Sequence, residues 1–126
     1  MGGENDWTTD DGACVRDFFQ VIADQAAFDS DKATKADLAR GATLFAGLNC
    51  FEAGQSQAIH AHGGADKFYL VISGKARMTV GSETRVAGPG TLVWAPAGVP
   101  HGVDEALERT VMLVALAPPP AVRSGG

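Results

Sequence analysis

The sequence lacks any apolar run near the length of about eighteen residues that a membrane-spanning helix needs. Its first six residues are acidic and glycine-containing, whereas a secretory signal peptide begins with basic and then apolar residues. We therefore expect a cytoplasmic protein that has no membrane partner.

Cysteine and clustered basic residues are also scarce. Cys14 and Cys50 are far apart and form no Cys-x-x-Cys pattern, so we expect reduced thiols. Ten Lys and Arg residues stand against fifteen Asp and Glu residues, and the net charge is −5. Nucleic-acid binding needs clustered basic residues, and here they are dispersed, so we expect no nucleic acid as a partner.

Glycine is abundant, with sixteen residues in a chain of 126. Apolar and β-branched segments recur about every ten residues, and glycine-containing turns separate them. This pattern is typical of an antiparallel sandwich or barrel, and the length suits a single core. The predicted strands are the short histidine segment and residues 43–52, 67–73, 76–80, 84–87, 91–95 and 108–117. Residues 43–52 are apolar enough to be buried on both faces.

The N-terminal third has a weaker pattern. Residues 1–12 are polar and predict a flexible tail. Residues 15–22 fit either an opening strand or the first turns of a helix, and 24–40 predict short irregular or helical surface structure. We expect one domain over 13–117, followed by a C-terminal tail over 118–126.

All three histidines lie in two short segments. In a strand, His60 and His62 point to the same face with Cα atoms about 7 Å apart. His101 follows a turn that Pro96, Gly98 and Pro100 stiffen. A histidine pair on a strand can also be an exposed polar edge, but the third histidine favours a metal site. Three imidazoles suit zinc first, or iron, manganese, nickel or copper, with positions left open for water or substrate.

Two motifs in this order resemble those of the cupin superfamily. They are Gly54-x5-His60-x-His62-x4-Lys67-x6-Gly74 and Gly90-x5-Pro96-x-Gly98-x2-His101. The resemblance covers residues 42–117, and it implies an all-β double-stranded β-helix, or jelly-roll barrel, with a short irregular or helical N-terminal segment. It also implies one divalent metal ion at His60, His62 and His101 inside the barrel. The sequence departs from the family at Lys67, where a glutamate ligand is usual, and at Glu105, where asparagine is usual.

The family includes dioxygenases, isomerases, lyases and decarboxylases, so the resemblance does not fix a reaction. We expect a small metal-dependent enzyme that acts on a compact, oxygen-bearing and anionic organic molecule by Lewis-acid or O₂ chemistry. The alternative is a non-catalytic ligand-binding or sensing domain in which the metal is structural or missing.

Lys67 is the candidate catalytic residue. Strand alternation, together with the resemblance, places Lys67 and Tyr69 on the inner face and Asp66 outside. Near a dication, Lys67 either ligates the metal as a neutral amine or holds an anionic substrate as a cation, and we favour the second role. Alternatively, Lys67 extends to solvent or pairs with Glu52. A bulge at Gly63-Gly64 would instead turn Asp66 inward as a ligand.

For several other residues the sequence predicts no functional role. It also predicts that two chains assemble. Tyr69 and Trp94 fall where inward alternation would line a pocket, and most such residues are core. Asp104 and Glu105 are expected to be solvated loop carboxylates. Apolar stretches at 18–22 and 111–116 exceed what the barrel interior needs, and with the resemblance they suggest a two-fold homodimer.

Overall fold

A computed structural model gives the fold of residues 17–61 and 63–121. Within these residues the chain forms one four-residue helix and nine strands. They are α1 (Ile22–Gln25), β1 (Thr34–Arg40), β2 (Phe45–Phe51), β3 (Gln57–His60), β4 (Asp66–Ser73), β5 (Ala76–Val80), β6 (Glu83–Ala87), β7 (Leu92–Ala95), β8 (His101–Ala106) and β9 (Thr110–Ala117).

The strands form two antiparallel sheets. The five-stranded sheet has the order β1-β2-β9-β4-β7, and the four-stranded sheet has the order β3-β8-β5-β6. Neighbours in space are often distant in sequence, as in a double-stranded β-helix. The predicted all-β jelly roll with a short irregular or helical N-terminal segment is therefore confirmed. No helix in the described part of the chain is long and apolar enough to span a membrane.

The inner faces of the two sheets meet in one apolar core. Its buried members are Phe51, Tyr69, Val71, Ala76, Met78, Ala87, Val103, Ala106, Met112 and Val114. A second cluster lies on the outer face of β1 and β2, where Ile22, Ala26 and Phe28 pack against Leu38, Leu48, Cys50 and Val111. The N-terminal segment thus covers β2 from outside, which confirms the predicted burial of that strand on both faces. Cys50 is a buried free thiol as expected, and Cys14 lies outside the described residues.

Strand β1 differs from the prediction. Residues 24–40 were expected to be irregular or helical, but Thr34–Arg40 pairs with β2. Ala36 lies opposite Leu48 on the outer face, whereas Lys35 lies opposite Asn49 on the inner face. The alternation is present in the sequence, but alanine has a weak preference for strands and carries little apolar signal.

The two apolar stretches that suggested a dimer have different positions. Residues 111–116 belong to β9, the central strand of the larger sheet, and the fold itself buries Val111, Val114 and Leu116. That part of the expectation is wrong. Phe19 and Val21 do remain exposed, at 93% and 65%.

The ends of the predicted domain are only partly described. The tail at 1–12 lies outside the described residues. Near the other end, Arg40 donates a hydrogen bond to the Pro120 carbonyl at 2.6 Å, so the first residues after β9 contact the end of β1.

Candidate functional site

Two of the three predicted ligands lie on paired strands. His60 ends β3, His101 begins β8, and the two residues face each other across the ladder. Their ring centroids are 4.5 Å apart with an interplanar angle of 58°. The structure therefore brings His60 and His101 together as expected.

The close approach of β3 and β8 depends on a glycine next to His101. A Cβ atom on Gly102 would lie 2.8 Å from the Gln57 carbonyl oxygen and 2.9 Å from that of Ala58. Both neighbours are backbone atoms, so any larger residue would push the strands apart. Gly102 thus sets the separation of the two imidazoles.

An irregularity in β3 decides which side chains share the site. Gln57 pairs with Val103 and His60 pairs with His101. The chain thus advances three residues along β3 for two residues along β8. This is the geometry of a β-bulge, which redirects side chains and is common beside active sites. Because of it, Gln57 and His60 both reach inward, although simple alternation would separate them.

Each imidazole is oriented by a backbone carbonyl. His60 Nδ1 lies 2.8 Å from the Ala58 oxygen, and His101 Nδ1 lies 2.9 Å from the Val99 oxygen. A carbonyl only accepts, so Nδ1 must carry the hydrogen, and in the neutral ring the lone pair is then on Nε2. Carbonyl-bound Nδ1 is the usual second contact of a metal-ligating histidine. The donor set of these two residues therefore fits a metal ion.

The protonation of His101 favours the same role. Burial lowers the pKa of His101, the Val99 hydrogen bond acts in the opposite direction, and the charges of Lys67 and His60 lower it further. The side chain is 1% exposed. His101 is therefore kept in the neutral form that a metal requires.

His62, the third predicted ligand, lies outside the described residues. In the remainder of the chain that the structure describes, no group of three or more His, Cys, Asp or Glu residues can hold a metal. The metal site of His60, His62 and His101 therefore stays a prediction, because it needs His62 as its third ligand.

Lys67 is buried on the inner face of β4, at 7% exposure. Its strand neighbours are Ala95 and Leu116, and its Nζ atom lies 4.5 Å from the centroid of the Tyr69 ring. Burial lowers the pKa of Lys67 to about 8, and the charge of Lys35 adds to the effect. Within residues 17–61 and 63–121 no carboxylate forms an ion pair with Lys67.

The contacts decide against two of the alternatives for this position, the Glu52 pairing and the inward Asp66. Glu52 binds Arg109 through two hydrogen bonds of 2.8 and 2.7 Å, so it is not the partner of Lys67. Asp66 is exposed and accepts a hydrogen bond from the Ala97 backbone N–H at 2.9 Å. In this structure Lys67 faces the interior and Asp66 faces outward.

Tyr69 connects Lys67 with the histidines. Its ring meets the His101 ring edge-on, with centroids 6.1 Å apart, and its hydroxyl donates to Gln57 Oε1 at 2.7 Å. Burial raises the pKa of the Tyr69 hydroxyl, so the hydroxyl remains a proton donor. Sequence reasoning missed Gln57, because only the bulge turns it inward.

Trp94 does not line this site. It is 52% exposed on the outer face of β7, where it lies opposite Phe68, while the smaller Ala95 faces inward beside Lys67. The expected inward position of Trp94 is therefore wrong.

Asp104 and Glu105 are also placed differently from the prediction. Both belong to β8, not to a loop. Asp104 accepts a hydrogen bond from the Thr79 hydroxyl at 2.6 Å, and Glu105 contacts Arg77 at 3.3 Å. These contacts lie on the β5 side of the smaller sheet, so the expected loop position is wrong.

Comparisons with known proteins agree with this architecture. Residues 47–116 match the family model described as a cupin domain. An uncharacterised protein of Streptomyces coelicolor is 39% identical over 82 residues, which cover 64% of this chain and 75% of that protein. The crystal structure of TT1209 from Thermus thermophilus shares 32% identity with a TM-score of 0.77, covering 81% and 98% of the two chains. KdgF from a Halomonas species shares 23% identity with a TM-score of 0.73, covering 82% and 96%, and this likeness is one of fold.

Proposed function

We propose that this chain, which belongs to the cupin family, holds one divalent metal ion and binds a small organic anion beside it. The ligands would be His60, His62 and His101, and the anion would contact Lys67. On this proposal the protein is a small metal-dependent enzyme acting on a compact, oxygen-bearing molecule by Lewis-acid or O₂ chemistry. The cytoplasmic location expected from the sequence stays a prediction.

The observation that carries the proposal is the burial of Lys67 without a carboxylate partner among the described residues. Removing an ammonium group from water is costly unless hydrogen bonds or an opposite charge replace the water. The contact with the Tyr69 ring supplies part of this stabilisation. An anionic ligand would supply the rest, and it would be held beside the neighbouring imidazoles.

The orientation of the imidazoles supports the metal. Both Nδ1 atoms donate to backbone carbonyls, so in the neutral rings Nε2 carries the lone pair and is the atom that would ligate a cation. Zinc is the expected ion in the isolated protein, because it accepts nitrogen ligands and binds more tightly than iron or manganese. When bound, the ion would supply Lewis-acid polarisation of a substrate oxygen.

Lys67 would then hold and orient the anion. In the metal-free protein, a pKa of about 8 leaves the Nζ atom mostly protonated at neutral pH, so it carries the charge that attracts a carboxylate. The surrounding Ala95 and Leu116 offer no competing polar group. Tyr69 contacts the Lys67 amine with its ring face, and the same ring packs against the ring of His101. An anion held by Lys67 would therefore lie close to the metal ligands.

The test is calorimetric titration of the purified protein with propionate. Wild type should bind this carboxylate, and Lys67→Met should bind it about ten- to hundredfold more weakly, the range expected for losing a hydrogen bond to a charged group. Metal content should not change, because the proposal gives Lys67 no ligand role. The matched control is Lys75→Met, which removes an exposed lysine in the turn between β4 and β5.

Equal propionate affinity in wild type and Lys67→Met would refute the anion role. If Lys67→Met instead lost its metal, Lys67 would be a neutral ligand. If wild type bound metal with every coordination position occupied by protein, the metal would be structural.

A further inference from the structure

A cavity lies between the edge strands of the two sheets. Its volume is about 120 Å³, which accommodates a few non-hydrogen atoms. Strand β1 is the edge of the larger sheet and β3 is the edge of the smaller one, so the cavity lies where the barrel wall is not closed by hydrogen bonds. The lining residues are Ala33, Thr34, Lys35, Asn49, Phe51, Ser56 and Gln57.

Asn49 is the unusual member of this lining. It is 4% exposed, and its neighbours across the ladders are Lys35 and Met112. Its side-chain amide makes no hydrogen bond to any residue that the structure describes. A buried amide normally has a hydrogen-bond partner. Asn49 lines the cavity, so an occupant of the cavity is the partner that it can reach.

Gln57 presents a second amide to the same space. The Tyr69 hydroxyl donates to Gln57 Oε1 at 2.7 Å, which leaves Nε2 on the other side of the amide. In the described part of the chain Nε2 has no acceptor. Lys35 adds an ammonium group at the mouth of the cavity, and no carboxylate of the described residues lines it. The lining is mostly apolar, and the side chains of Lys35, Asn49 and Gln57 supply its N–H donors, which an acceptor-only group such as a carboxylate matches.

Tyr69 joins this cavity to Lys67. The Lys67 Nζ atom lies 4.5 Å from the centre of the Tyr69 ring, and the hydroxyl of the same ring reaches Gln57. Lys67 and the cavity thus share Tyr69 as a neighbour, and a short molecule is the ligand that would span them. The carbon atoms of Ala33 and Phe51 suit a hydrocarbon link more than a highly hydrated anion.

We propose that Lys35, Asn49 and Gln57 form a second carboxylate subsite, and that the ligand of this protein is a short dicarboxylate. The inference rests on the proposed function, because the first carboxylate is the one held at Lys67. The amides of Asn49 and Gln57 hydrogen-bond the second carboxylate, and Lys35 closes the mouth of the cavity as a counter-charge.

The experiment compares succinate with butyrate, which lacks the second carboxylate, by calorimetry on the full chain as purified. Wild type should bind succinate at least tenfold more tightly than butyrate. Asn49→Asp is nearly the same size and places a negative charge in the subsite, so succinate affinity should fall much more than butyrate affinity, the preference for succinate should disappear, and the metal content should stay the same. Lys35→Met changes a residue at the mouth of the cavity and tests the same subsite should Asn49→Asp fail to fold; it should reduce the preference at least threefold.

The outcomes separate this inference from the proposed function. Equal affinity of wild type for succinate and butyrate overturns the second subsite but leaves the anion role of Lys67 intact. An undiminished succinate preference in Asn49→Asp, or in Lys35→Met, also overturns it, and so does tighter binding of inorganic phosphate than of succinate. If wild type binds neither carboxylate, both proposals fail.

Discussion

Replacing Lys67 by methionine should stabilise the metal-free, ligand-free protein. Burial lowers the pKa of Lys67 from 10.5 to about 8, so the folded state disfavours the charged amine. At 1.36 kcal/mol for a tenfold change in proton affinity, the charged lysine costs about 3 kcal/mol of folding free energy. Methionine has a similar length and no charge, so Lys67→Met should raise the free energy of unfolding by up to about 3 kcal/mol at pH 7.

The pH dependence follows from the same pKa. Below about pH 8 Lys67 is protonated in both the folded and unfolded states, and the full cost is present. Between about pH 8 and 10.5, Lys67 is more protonated in the unfolded chain than in the folded one. The cost of burying its charge therefore falls, and wild type becomes more stable, as the pH rises. The advantage of Lys67→Met should therefore shrink across this range.

Urea unfolding at pH 7 and at pH 9.5, after removal of metal by a chelator, measures both effects. Lys75→Met serves as the control for the loss of an exposed lysine, and it should change the free energy of unfolding by less than about 0.5 kcal/mol. A destabilised Lys67→Met variant, or a gain that does not depend on pH, would refute the view that Lys67 is a buried charge without a carboxylate partner among the described residues.

Three further predictions concern the metal, the strand pair and the assembly. Lys67→Glu restores the carboxylate that is usual in the family and should tighten the metal; weaker metal binding would contradict this. Gly102→Ala places a Cβ atom 2.8 Å from the Gln57 oxygen, so it should lower stability by about 2 kcal/mol or more and reduce metal affinity; a fully stable variant would show that β3 can move. The dimer expected from the family predicts twice the chain mass of 13.0 kDa by light scattering at micromolar concentration, and a mass of one chain would exclude it.

The turns and most strands could be predicted from the sequence because glycine marks the places where the chain needs a positive φ angle. Gly98 has φ +80° in the turn before His101, a conformation that other residues rarely adopt. Ala76–Val80 was predicted with the observed boundaries, because apolar residues alternate there between two turns.

The features that the sequence did not predict depend on pairing between distant segments. The bulge that turns Gln57 inward is a mismatch between β3 and β8, and neither segment alone contains it. Trp94 was expected inside by strand alternation, but the register of β4 and β7 sets Ala95 beside Lys67 on the inner face and Trp94 beside Phe68 on the outer face. Asn49 did carry a local signal, since it is the single amide in an otherwise apolar strand, but its proximity to Lys35 follows only from the register of β1.

Metal content tests the central claim most directly. Elemental analysis of the purified protein should find about one divalent ion per chain in wild type, and His62→Ala and His101→Ala should each lose most of it. Asp66→Asn is the matched control, because its oxygen can still accept the Ala97 hydrogen bond and Asp66 faces away from the histidines, so this variant should keep its metal. Wild type without a divalent ion, or full occupancy in either histidine variant, would contradict the proposed metal centre.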